Sequence, residues 1–173
     1  MKYSGQDLLL GSLLLALALI LPILFHAVGL GSAFLPMFYP ILTAGFLIAW
    51  PVAAAVGFLA PLTSALLTGM PPLFPPIAPI MMMEGLVLTS LPYWLHQKHS
   101  LKIIPTMVVT VAAERAVLLA AVVLLAKWLE LPEGVLGLVS VARGLPGIVI
   151  IFIIIPPLVK KLEQRIKHQW LLE

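Results

Sequence analysis

Four ionisable side chains stand inside long apolar runs of this sequence: Glu84, Glu114, Arg115 and Arg143, with Lys127 near the outer end of the run that holds Glu114 and Arg115. A charge at the centre of a membrane span costs about 2.5–3.5 kcal/mol on insertion scales, so one kept there has a partner or a task. At a rise of about 1.5 Å per residue, Glu84 and Arg143 fall at a similar depth. Two roles are open to them: to pair with each other, or to grip a ligand. Glu114 and Arg115 are adjacent near the middle of their own run, where an ion pair would fix helix register. His26, near the end of the first run, suits an interfacial hydrogen bond or a ligand contact.

Covalent and metal chemistry find little support. With no cysteine in the chain, disulfides, thiol catalysis and thiolate metal sites are excluded. The four histidines are scattered, which argues against a metal cage. There is no glycine-rich loop ending in Lys-Ser or Lys-Thr, no HExxH pair and no GxSxG elbow. No cofactor and no catalytic residue are expected. The chemistry on offer is binding by a few buried charges.

The elements that must position those charges are membrane helices. The 173 residues are 62% hydrophobic and 10% charged, whereas soluble domains are about half apolar and a quarter charged. A span needs about 20 apolar residues, so the length holds about six and no soluble domain besides. The expectation is one all-α polytopic bundle of six transmembrane helices occupying the whole of 1–173. The spans are 7–28, 36–50, 51–68, 77–95, 103–129 and 142–159. The N-terminal run lacks a small-residue cleavage site and is taken as a retained first helix.

Basic residues set the orientation. Lys2, then Lys98 and Lys102, then Lys160, Lys161, Arg165 and Lys167 fall on one side of a six-span layout. The opposite connections hold no charge after the first and third spans, and Glu130 and Glu133 after the fifth. The positive-inside rule then places both termini in the cytoplasm. Because the basic residues mark span ends rather than a solvated patch, the net charge of +3 does not point to nucleic acid.

Two connections, GLGSAFLPMFYP (Gly29–Pro40) and LTGMPPLFPPIAPIMMMEG (Leu67–Gly85), are rich in glycine and proline and carry no charge before Glu84. Proline cannot continue a helix, and unpaired backbone at membrane depth is tolerated only in protein or along a cavity. These segments are expected to shape one pocket on the outer side. Phe34, Met37, Tyr39, Phe74 and Met83 would form apolar walls, with Glu84 and Arg143 as the polar groups. Tyr93 and Trp94 fit an aromatic belt at the inner end. On the first helix Ser12 and Ala16, four residues apart, would let a partner helix approach closely.

Taken together these segments resemble the substrate-binding S components of energy-coupling factor (ECF) transporters, the vitamin importers of bacteria and archaea. The likeness rests on GSAFLPMFYPILTAGF after the first span, SALLTGMPPLFPP after the third and PIMMMEG opening the fourth. The resemblance implies a vitamin-like nutrient held near the outer face of a prokaryotic cell membrane. It also implies docking on a transmembrane coupling subunit and two ATPases. The family docks through an alanine-x-x-x-alanine motif on helix one, from which Ser12 departs at the first position. Thiamin or pyridoxine precursors facing Glu84, and lipoate or another anion facing Arg143, both fit. A small intramembrane enzyme and an assembly subunit are the competing readings.

Overall fold

The first helix, α1 (Gly5–Ala27), opens on a reciprocal cap. The Ser4 hydroxyl accepts from the Asp7 N–H at 3.1 Å, and Asp7 accepts from the Ser4 N–H at 2.7 Å, satisfying two of the free donors at the helix start. The same carboxylate accepts from the Ala49 N–H at 3.0 Å, which ties the start of α1 to a break 42 residues on. The computed structural model describes residues 3–74, 76–129 and 144–170, and every regular element in them is helical.

After α1 come a single turn, α2 (Gly31–Phe34), and the short α3 (Phe38–Leu47). Ile48 is extended, and α4 (Trp50–Thr68) starts with Pro51 in its first turn, where a missing N–H costs nothing. The break therefore falls before Trp50, not at Pro51. Helix α5 (Ile77–Pro92) runs directly into a π-helical turn, Tyr93–Lys98. Helices α6 (Ile103–Leu129) and α7 (Leu145–Trp170) are the last elements among the described residues, and α7 carries the basic tail forward without a break.

Among the described residues four helices are long and apolar enough to cross a membrane: α1, α4, α6 over Ile103–Leu124 and α7 over Leu145–Ile166. Their outward faces carry exposed Leu9, Leu13, Leu24, Leu67, Val123, Leu124 and Ile153. Apolar surface on that scale is not stable in water, whereas lipid solvates it. This is the makeup of a multi-pass helical membrane protein. Helix α3 differs from the span expected there. Its 10 residues reach about 15 Å, half of a hydrocarbon core of about 30 Å. It is buried on nearly every side, from Phe38 through Ile41 and Leu42 to Phe46.

The central helices pack closely because glycines meet. Helix α4 lies most extensively against α5. A Cβ built on Gly57 would overlap the Gly85 carbonyl, and one on Gly85 would overlap the Gly57 carbonyl. Gly45 of α3 meets the backbone of α5 at Leu88 and Thr89 in the same way. Close backbone approach between small residues is how membrane helices gain packing energy.

One end of the bundle is laced by polar contacts. Trp50 Nε1 donates to Ser90 Oγ at 3.0 Å, and Gln97 Nε2 lies 2.9 Å from the Gly45 carbonyl and 3.1 Å from that of Ile48. The π turn brings His96 Nε2 within 2.8 Å of Glu163 on α7. Lys98 lies over the Trp94 ring, 4.2 Å from its centroid. Lys98, Lys102, Lys160 and Lys161 all belong to this end. Tyr3, the first described residue, is here as well, one residue before the α1 cap.

Candidate functional site

At the opposite end the helices part around a cavity of about 550 Å³. Its walls come from α1 (Pro22, Ile23, His26), the α2–α3 region (Gly31, Leu35 to Phe38) and the end of α4 (Ser64, Thr68). The α4–α5 connection adds Met70, Pro71 and Pro72. Helix α5 supplies Ile77, Met81 and Glu84, and α6 supplies Arg115 and Leu118. A volume of this size, mostly apolar with a few placed polar groups, is typical of a small-molecule site.

Local sequence explains why the chain opens here. Gly69 ends α4 at φ +72, a left-handed cap that glycine adopts without cost. The Ser64 hydroxyl donates to the Met70 carbonyl at 2.6 Å, and that of Thr68 donates to the Ser64 carbonyl at 2.8 Å. The connection that follows is thus anchored by side chains where proline removes backbone donors. Between α2 and α3, Leu35 takes φ 50, a left-handed conformation uncommon for a branched side chain, and its side chain reaches the cavity wall. On α1 the missing N–H of Pro22 frees the Ala18 carbonyl one turn earlier, and His26 lies one turn later. His26 Nδ1 donates to the Pro22 carbonyl at 2.7 Å, and its ring covers Gly31.

The floor of the cavity is charged. Glu84 lies seven residues beyond the start of α5, about 10 Å along the helix, and is 2% exposed. Arg115 Nη2 stands 4.0 Å from Glu84 Oε1, an ion pair without a hydrogen bond. The guanidinium is instead forked onto Glu114: Nε donates to Oε2 at 2.6 Å, and Nη2 donates to Oε1. Glu114 is buried and neighbours Glu84. Glu84 Oε1 has no hydrogen-bond partner among the described residues. Gly144, at the head of α7, packs over the guanidinium, since a Cβ there would lie 3.3 Å from Nη1.

The structure brings together some of the residues picked from sequence and separates others. Met37 and Glu84 are on the cavity wall. Met81 occupies the place expected for Met83, which is 56% exposed on the other side of α5. Phe74 is 74% exposed, off the wall. Phe34 stacks on Phe25 with ring centroids 5.9 Å apart, and Tyr39 packs against the buried core. Arg143 lies outside the described residues, as do the acidic Glu130 and Glu133. The described cation nearest Glu84 is Arg115, which the sequence pairs most simply with its neighbour Glu114. His26 also lines the wall, a placement whose only advance signal was its depth beside Pro22. Ser12 and Ala16 lie on the exposed face of α1, with Gly11, Leu14 and Ala18 turned toward the bundle. Compared with known protein families, with curated proteins and with solved structures, the chain matches none.

Proposed function

We propose that this chain is the membrane-embedded binding subunit of a nutrient importer, of the S-component type. It takes a vitamin-like small organic molecule into the cavity and delivers it to an ATP-driven module. The observation that carries this reading is the cavity itself: about 550 Å³, largely apolar, with a buried charged floor, at the bundle end opposite the lysines. Placing the lysine-rich end in the cytoplasm puts the cavity mouth outside. That orientation uses six crossings, with α3 and its flanks as one short crossing and α5 with its π turn as another. Both termini are then cytoplasmic, in the cell membrane of a prokaryote.

The chain carries no sequence motif for ATP hydrolysis, so the energy comes from partners: a transmembrane coupling subunit and two ATPases. The exposed small-residue face of α1, at Ser12 and Ala16, is where a coupling helix would lie. The reading is tested by mass spectrometry of small molecules released on denaturing the protein after mild detergent extraction. One organic molecule at near-stoichiometric amount is expected from the wild type and should be lost from Met81→Trp, which fills the cavity. Equal recovery from both proteins would remove the cavity as the binding site.

A further inference from the structure

We infer that the cavity is built for a small organic cation, whose positively charged N–H group bonds Glu84 while an apolar body fills the space above. This rests on the reading that the cavity binds a small molecule, and adds the charge of that molecule. Most polar groups described on the wall are already committed. Ser64 and Thr68 donate to carbonyls of the α4 end and its connection. His26 Nδ1 is spent on the Pro22 carbonyl. Arg115 holds both oxygens of Glu114. Arg115 Nη1 and His26 Nε2 stay open, but the one wall atom among the described residues that is both buried and without a hydrogen bond is an acceptor, Glu84 Oε1.

Charge counting points the same way. The described floor holds two carboxylates, Glu84 and Glu114, against one guanidinium, Arg115. A buried site is stable when charges are matched, and a carboxylate left without donors is costly. A ligand ammonium or protonated ring nitrogen supplies both the missing charge and the missing donor. An anion does the reverse. It could bond the Nη1 that Glu114 leaves open on Arg115, but only by adding a third negative group to a floor where one guanidinium already serves two carboxylates. The rest of the wall, including Pro22, Ile23, Met37, Phe38 and Leu118, offers only apolar contact to the body of the ligand.

The test uses purified full-length protein in nanodiscs and three probes sharing one body: 2-naphthylmethylammonium, 2-naphthylmethanol and 2-naphthoate, titrated calorimetrically at neutral pH. The ammonium should bind about ten- to a hundredfold tighter than the carboxylate, the range for a hydrogen bond between charged groups. Glu84→Gln should abolish that preference while retaining the affinity for the neutral alcohol, which also certifies that the variant is folded. Met81→Trp should weaken all three. The inference is overturned, with the cavity reading intact, if naphthoate binds as tightly as the ammonium. It is equally overturned if Glu84→Gln keeps the preference or loses alcohol binding along with it. If none of the probes binds the wild type, or if Met81→Trp binds them unchanged, the cavity reading falls and the inference with it.

Discussion

Gly57 of α4 and Gly85 of α5 face each other with no room for a side chain on either, so the two helix backbones touch one residue away from Glu84. The depth and aim of the buried carboxylate are therefore set by a contact between main chains, which cannot shift as a flexible side chain can. Gly85→Ala gains up to about 1 kcal/mol of helix propensity, but forcing a methyl into a packed contact costs about 1–3 kcal/mol or more. Overlap with rigid backbone puts this case at the upper end. The melting temperature should fall and the cavity should lose ligand. Gly5→Ala, where a Cβ meets nothing within 4 Å, should leave both unchanged. Equal melting of the two variants would show that the α4–α5 contact yields.

The charged floor separates a structural pair from a free acid. Arg115→Leu strands Glu114 and Glu84 and should destabilise the fold by about 3–5 kcal/mol. Glu84→Gln removes a charge whose nearest described cation stands 4.0 Å away, so it should leave the melting temperature unchanged or raised. Thermal unfolding of both variants in the same detergent decides the matter. A comparable loss in each would make Glu84 part of the structural ion pair.

Asp7 accepts three hydrogen bonds, two from Ser4 at the α1 cap and one from the Ala49 N–H that joins the helix start to the α3–α4 break. Asp7→Ala should cost about 1–2 kcal/mol, the upper range for a lost helix cap. Asp7→Asn should cost less, because its amide oxygen can still accept from the Ala49 N–H. Chemical denaturation of the two variants would show the ordering, and equal losses would assign the effect to charge alone.

Orientation can be read with single cysteines, since the chain has none of its own. His99→Cys stands at the lysine-rich end and Phe74→Cys beside the cavity mouth, both exposed. A membrane-impermeant thiol reagent applied to intact cells should label Phe74→Cys and spare His99→Cys. The opposite pattern would turn the protein over and place the cavity toward the cytoplasm.

Ser12 and Ala16 lie on the lipid-facing side of α1, on a different face from the one that packs the bundle. Ala16→Trp should therefore spare ligand binding by the isolated protein and abolish assembly with a coupling subunit or uptake in cells. Wild-type uptake by this variant would move the docking surface elsewhere.

The sequence by itself determined the class of structure and one end of its chemistry. Long apolar runs can satisfy their backbone in lipid only as helices. The clustered prolines of the α4–α5 connection cannot be helix interior, and a glutamate just past them has to be housed. Those arguments are local, and they located α1, α4, α5, α6 and the cavity-side place of Glu84. Only the tertiary structure decided which side of each helix faces inward. A membrane helix is apolar all round, so periodicity does not distinguish lipid from core, and Met81 and Met83 look alike until α5 is seen against its neighbours. The same holds for the cation beside Glu84: Arg115 comes from a helix 31 residues on, and its reach depends on how α5 and α6 pack. Helix α3 was hidden for the opposite reason. Its composition is that of a span, and only its length between the Leu35 turn and the extended Ile48 shows that protein surrounds it. The glycines at 45, 57 and 85 were the nearest thing in the sequence to a packing signal. Close backbone approach demands small residues, but composition does not say which of twelve glycines meet.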